Sequence, residues 1–189
     1  PTIPSVLIEE FRCAEIRAAI QNGTDVIVTF PASVVPPPID GDFDNGIIAH
    51  ELGHGISNRL VGGPSAAGCL GNGEQMGEGW SDFFGLAASP LNGAATLPTG
   101  VEPRGIGNFA INAGPNGGGI RRQRYSTDMA VNDFTYDDVI TSGVPHPLGE
   151  IWATTLWDLY WAMTDEYGFD SNLITGTGGN NLAVELVIE

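Results

Sequence analysis

Lysine is missing from this sequence, and its seven basic residues are all arginine. Set against 23 acids, they leave a formal net charge of −16. Proteins that bind nucleic acid or dock on an anionic membrane surface need basic patches, so this balance argues against both partners. Long apolar runs are missing too. None approaches the roughly 18 residues needed to span a bilayer, and nothing resembles a signal peptide. Cysteine is scarce. Cys13 and Cys69 lack C-x-x-C spacing and suggest no thiolate metal site. Whether the two are paired is not legible from their positions.

What remains is 189 residues, 42% of them hydrophobic, enough for one domain or one and a fraction. An acidic, glycine-rich, lysine-free composition suits an exported protein that must stay soluble. The chain begins at Pro1 and ends at Val187-Ile188-Glu189, inside an apolar helical pattern. A fragment of a longer precursor is the expectation.

The stretch Asp44–Leu60 carries the chemistry. It contains H-E-L-G-H, residues 50–54. On a helix, residues four apart share a face, so His50 and His54 can bind one zinc ion together. Glu51, next to the first ligand, can reach a water held by the metal and take its proton. Asp44 or Asn45 can cap the helix, and Gly62-Gly63-Pro64 ends it. Residues 76–88, M-G-E-G-W-S-D-F-F-G-L-A-A, read as a mostly buried helix. A carboxylate there is costly unless paired or bound to metal. Glu78 can supply the further ligand that a zinc peptidase needs. Asp82, four residues on, can accept a hydrogen bond from the far nitrogen of a zinc-bound histidine. The bland alternative is an acid pair favouring the helix dipole.

Other segments are less specific. Residues 3–8 and 25–30 read as strands around a helix at 9–22, which Asn22-Gly23 ends. This strand–helix–strand unit resembles the closing segment of a protease-associated domain. Residues 31–38 form a proline-rich linker. Asp40, Asp42 and Asp44 mimic the opening of a calcium loop. An EF-hand is excluded, because Asn45 replaces the turn glycine and the closing glutamate would be Glu51. Another calcium geometry stays open but unsupported. Residues 89–120 read as one long loop. In Arg121-Arg122-Gln123-Arg124-Tyr125, a solvated basic cluster competes with a functional role. In that role an arginine, Arg124, props the cleft or holds a peptide carbonyl, and Tyr125 helps bind an oxyanion. His146 falls in a loop ahead of an apolar helix at 149–164. Residues 165–178 read as a loop, and a further helix starts at Asn180.

The segments 50–64 (H-E-L-G-H-G-I-S-N-R-L-V-G-G-P), 69–70 (C-L) and 74–84 (E-Q-M-G-E-G-W-S-D-F-F) resemble the fungalysin family of secreted zinc metallopeptidases, which are thermolysin-like, gluzincin-type enzymes. The likeness spans about residues 39–189. It implies His50, His54 and Glu78 as zinc ligands, Glu51 as general base and Asp82 as their support. It also implies His146 as a donor to the tetrahedral intermediate, since family members carry a histidine before a G-E-x-W helix. One departure is Leu52-Gly53, where many members have Tyr-Thr or Tyr-Gly.

The expected fold is α+β: a zincin-type metallopeptidase core, mainly helical here, preceded by a small strand-helix-strand remnant. The expected divisions are 1–31, the end of a protease-associated-like domain; 32–40, a linker; and 41–189, the peptidase core, truncated at its C-terminus. The expected function is secreted, zinc-dependent endopeptidase activity on protein or peptide substrates, with a propeptide in the precursor. The alternative is an incomplete, non-catalytic fragment that binds zinc or a partner.

Overall fold

The computed structural model describes residues 10–24, 39–73, 76–89 and 99–189. The chain divides into two compact units, Pro1–Pro37 and Pro38–Glu189. In the first, helix α1 spans Glu10–Gln21. It stops as expected at Asn22-Gly23, where Gly23 adopts φ +73° and Thr24 N–H closes onto the Ala19 carbonyl. The expected strands 3–8 and 25–30 lie outside the described residues, as does the linker up to Pro38. Among the described residues the protein is mainly helical and contains no strand.

The second unit is built from α2 (Asn45–Gly62), α3 (Gly77–Ala88), α4 (His146–Tyr167) and α5 (Gly179–Ile188). Two 3-10 turns, Gly41–Phe43 and Tyr136–Ile140, accompany them. Asp44 caps α2. Its Oδ1 accepts from Gly46 and Ile47 N–H, and its Oδ2 accepts from Ala110 N–H. Of the three acids that imitate a calcium loop, Asp44 is thus committed to backbone donors. Asp40 caps the first 3-10 turn through Asp42 N–H. Gly63, at φ +69°, ends α2.

Helix α4 departs from expectation. It begins at His146 rather than at 149, with a proline in its first turn. A proline costs nothing there, because its missing N–H would have had no intrahelical partner. His146 is therefore part of the helix, not of a loop before it.

Helix α3 lies between α2 and α4 and is buried almost along its whole length. Phe83, Leu86, Leu156, Trp157, Tyr160 and Ala183 form the centre of the core, and the Trp157 and Tyr160 rings stack at 4.8 Å. The loop 99–127 is tied to this core. Arg104 and Tyr125 exchange both backbone hydrogen bonds, at 2.9 and 2.8 Å, and the Arg104 guanidinium donates to the Ser89 carbonyl.

Glycine sets how closely the helices cross. A Cβ on Gly53 would fall 2.7 Å from Ser81 Cα, and one on Gly149 would fall 2.6 Å from Glu78 Cβ. The Leu52-Gly53 pair thus places glycine where α2 meets α3. Gly55, two residues on, has nothing within 4 Å. This contrast makes a prediction. Gly53→Ala overpacks the crossing and destabilises by about 1–3 kcal/mol. Gly55→Ala, at an exposed position of the same helix, stabilises by about 0.5–1 kcal/mol. Denaturant unfolding of both variants checks it, and equal effects would refute the account.

Candidate metal centre

The α2 cap and the α2/α3 crossing bring His50, His54 and Glu78 together. One ligand atom from each lies within 4.8 Å of the others. His50 is buried. Its Nδ1 lies 2.7 Å from Asp82 Oδ1, and its Nε2 lies 3.2 Å from Glu78 Oε2. His54 Nε2 lies 3.7 Å from Glu78 Oε1. The two imidazoles meet edge to face, with centroids 4.7 Å apart. From the start of α4, His146 brings its Nε2 to 3.3 Å from Glu78 Oε1. Three imidazole nitrogens therefore face one carboxylate. Glu51 follows His50 on α2 and is exposed to solvent.

Asp82 anchors the arrangement from below. It is 1% exposed and accepts from four donors. These are His50 Nδ1, Arg121 Nε at 2.7 Å and Nη2 at 2.9 Å, and the Tyr125 hydroxyl at 2.5 Å. Burial acts to raise the carboxyl pKa, but His50, Arg121 and Tyr125 outweigh it and hold the group below the usual range. Tyr125, fully buried beside that charge, is pushed well above the ordinary phenol range by burial first and by Asp82 second. Contact with His50 lowers Glu78 against the opposing effect of burial, and His146 and His54 assist.

The residues fit a metal. With Nδ1–H given to Asp82, a neutral His50 would turn a bare Nε2 lone pair toward the Glu78 carboxylate. Glu78 Oε2 is buried and completes no well-formed hydrogen bond. A cation between the two groups resolves both problems. Burial pulls His50 down, yet Asp82 and Glu78 together lift it to about 9. Two imidazoles and one carboxylate, with the histidine oriented by a second carboxylate, are a suitable donor set.

The basic stretch is arranged differently from expectation. Arg121, not Arg124, reaches the cluster, with its Nη2 3.5 Å from Glu78 Oε2. Arg124 is held through its carbonyl, which accepts from Asn132. Tyr125 is turned inward, and its hydroxyl is committed to Asp82 rather than free for an oxyanion. Arg122 pairs with Glu150 on α4 at 2.6 Å. A clue to both arginines lay in Asp82 and Glu150, two carboxylates on apolar helices that demand cationic partners in a chain with few of them.

The profile of the fungalysin metallopeptidases (M36) matches residues 21–189. Extracellular metalloproteinase 2 of Trichophyton tonsurans is 39% identical over 177 residues, which are 89% of this chain and 27% of that protein. The protein of the same name from Arthroderma gypseum is 41% identical over 161 residues, 81% of this chain and 24% of its own length. Extracellular metalloproteinase MEP of Fusarium vanettenii is 41% identical over 163 residues, again 81% and 24%. The chain thus spans about a quarter of the length of the curated relatives it matches. The matched region includes every residue of the cluster, and on that match the chain belongs to the fungalysin family of metallopeptidases.

Proposed function

We propose that this chain carries the centre of a secreted, zinc-dependent metalloendopeptidase acting on protein or peptide substrates. The observation that carries the reading is the convergence of His50, His54 and Glu78 within 4.8 Å. The relatives' names, extracellular metalloproteinases, support export and proteolysis. No helix among the described residues is long and apolar enough to cross a membrane.

His50, His54 and Glu78 would hold the zinc, and three protein ligands leave a position for substrate chemistry. A zinc ion held there would supply Lewis acidity for the scissile carbonyl and the attacking water. Glu51, exposed and adjacent to a ligand, takes the proton of the attacking water and passes it to the leaving amine. His146, exposed at the start of α4 and beside Glu78, donates to the oxyanion of the tetrahedral intermediate. Asp82 holds His50 Nδ1–H, so that Nε2 is the atom presented.

The same proposal assigns 1–31 as the end of a protease-associated-like domain, 32–40 as linker and 41–189 as the peptidase core. The division at Pro37–Pro38 lies inside that linker and supports it. A propeptide in the precursor belongs to the same reading.

Metal analysis together with hydrolysis of a general protein substrate tests the proposal on the intact protein. Stoichiometric zinc and chelator-sensitive hydrolysis are expected. A competing reading, an incomplete piece that binds zinc without hydrolysis, draws on the quarter-length match to the relatives. Stoichiometric zinc with no hydrolysis would select it. Glu78→Ala is expected to lose zinc, while Glu185→Ala, exposed on α5, retains it. Equal zinc occupancy in the two variants would remove Glu78 from the ligand set.

A further inference from the structure

Arg121 and Arg122 are neighbours that serve different helices. Arg121 is bound to Asp82 of α3. Arg122 is bound to the beginning of α4: its backbone N–H donates to Glu150 Oε1 at 3.2 Å and its Nε to Oε2 at 2.6 Å. Its Nη2 donates to the Pro147 carbonyl at 2.7 Å. Its guanidinium lies over the Phe134 ring, 4.5 Å from the centroid. One residue thus occupies both oxygens of a buried carboxylate and one carbonyl of the first α4 turn. That carbonyl belongs to the residue after His146. Gly149, in the same turn, packs directly against Glu78. The loop behind Arg122 is itself stitched, Gln123 and Asp133 exchanging two hydrogen bonds at 2.6 and 3.0 Å.

Resting on the peptidase reading above, we propose that Arg122 is a positioning residue: by clamping Glu150 and the Pro147 carbonyl, it fixes the first turn of α4 and so the placement of His146 beside Glu78. Arg122 touches none of the three candidate ligands, so it acts through His146. The consecutive arginines then act as one staple, holding the helix of Glu78 and the helix of His146 in a set relation. Freeing the α4 turn lets the His146 imidazole wander from the oxyanion position, and a misplacement of about 1 Å can cost up to roughly a hundredfold in rate.

A mutant cycle in the intact protein tests this. Arg122→Met is expected to lower kcat about 10–100-fold, to change KM little and to leave zinc content intact. Arg122→Lys keeps charge but loses the two-sided fork, and should recover only part of the rate. Arg17→Met, exposed on α1, serves as the control and should leave kcat unchanged. In a His146→Ala background, Arg122→Met should cause no further loss beyond about twofold. An equal fractional loss in both backgrounds would overturn the proposal, because a general structural role is blind to His146. A second arm does not depend on activity. In chelator, the amides of Leu148 and Gly149, bonded to the Gly143 and Pro145 carbonyls, should exchange at least about tenfold faster in Arg122→Met, while the Ala183 amide of α5 should not change. Unchanged exchange at Leu148 and Gly149 would also overturn it. If the wild-type protein hydrolyses nothing, the peptidase reading fails separately and the exchange arm still decides the role of Arg122.

Discussion

Glu51→Gln is expected to keep zinc and fold and to lose nearly all turnover. The amide retains the size and most of the hydrogen bonding of the carboxylate but cannot accept a proton near neutral pH. General acid–base catalysis is worth roughly 10²–10⁴ in rate, and Glu51 is asked to act in both proton transfers. The side chain is exposed, so its replacement leaves no buried group unsatisfied and should change stability little. His50→Ala behaves differently. His50 is 6% exposed, hydrogen-bonded to Asp82 on one side and facing Glu78 at 3.2 Å on the other, so its loss removes metal and activity together and costs stability as well. The competing idea makes Glu51 a surface carboxylate with no chemical part. Turnover per bound zinc separates the two, and near-normal turnover in Glu51→Gln would eliminate the proposed mechanism.

The parts of the site that were legible in sequence are those specified locally. His50 and His54 lie one helical turn apart, and Asp44 and Gly63 bound their helix through backbone rules that need no tertiary information. Glu78 and Asp82 stood out because carboxylates are rare on a helix as apolar as α3. The start of α4 was less legible: Pro145 and Pro147 resemble helix breakers, whereas in the first turn proline is tolerated. The arginine stretch was not resolvable by pattern. It lies in a loop with no periodicity, and its partners are far away in sequence, Asp82 at 39 residues and Glu150 at 28. Which of Arg121, Arg122 and Arg124 turns inward depends on the path of residues 99–127, pinned by Arg104 and its bridge to Tyr125. Hydrophobicity likewise leaves open whether Tyr125 faces a cleft or the core. Its complete burial under Asp82 is a tertiary outcome.

Asp82→Ala is expected to damage fold and metal site together, more than any other single change at a residue outside the proposed ligand set. Three partners converge on this one carboxylate: His50, Arg121 and Tyr125. Removing it strands all three. Among the described residues, Arg121, with a side chain 6% exposed, keeps Glu78 at 3.5 Å. Breaking a buried ion pair on one side costs about 3–5 kcal/mol, because the remaining charge is left uncompensated. His50 also loses the acceptor that fixes its tautomer, and such losses lower metal affinity about 10–100-fold. Asp82→Asn should rescue little. The amide has the same shape, but its NH₂ would face donors and its charge is gone. Tyr125→Phe provides the contrast. It removes one donor to a charged carboxylate and leaves Asp82 bound to Arg121 and His50, so about 1.5–3 kcal/mol and no change in zinc affinity are expected. Unfolding measured in chelator isolates the intrinsic loss, since bound metal would add its own stabilisation by mass action. Zinc titration of the folded variants supplies the second number. If Asp82→Ala unfolds within about 1 kcal/mol of the wild type and binds zinc equally well, Asp82 neither anchors Arg121 nor orients His50.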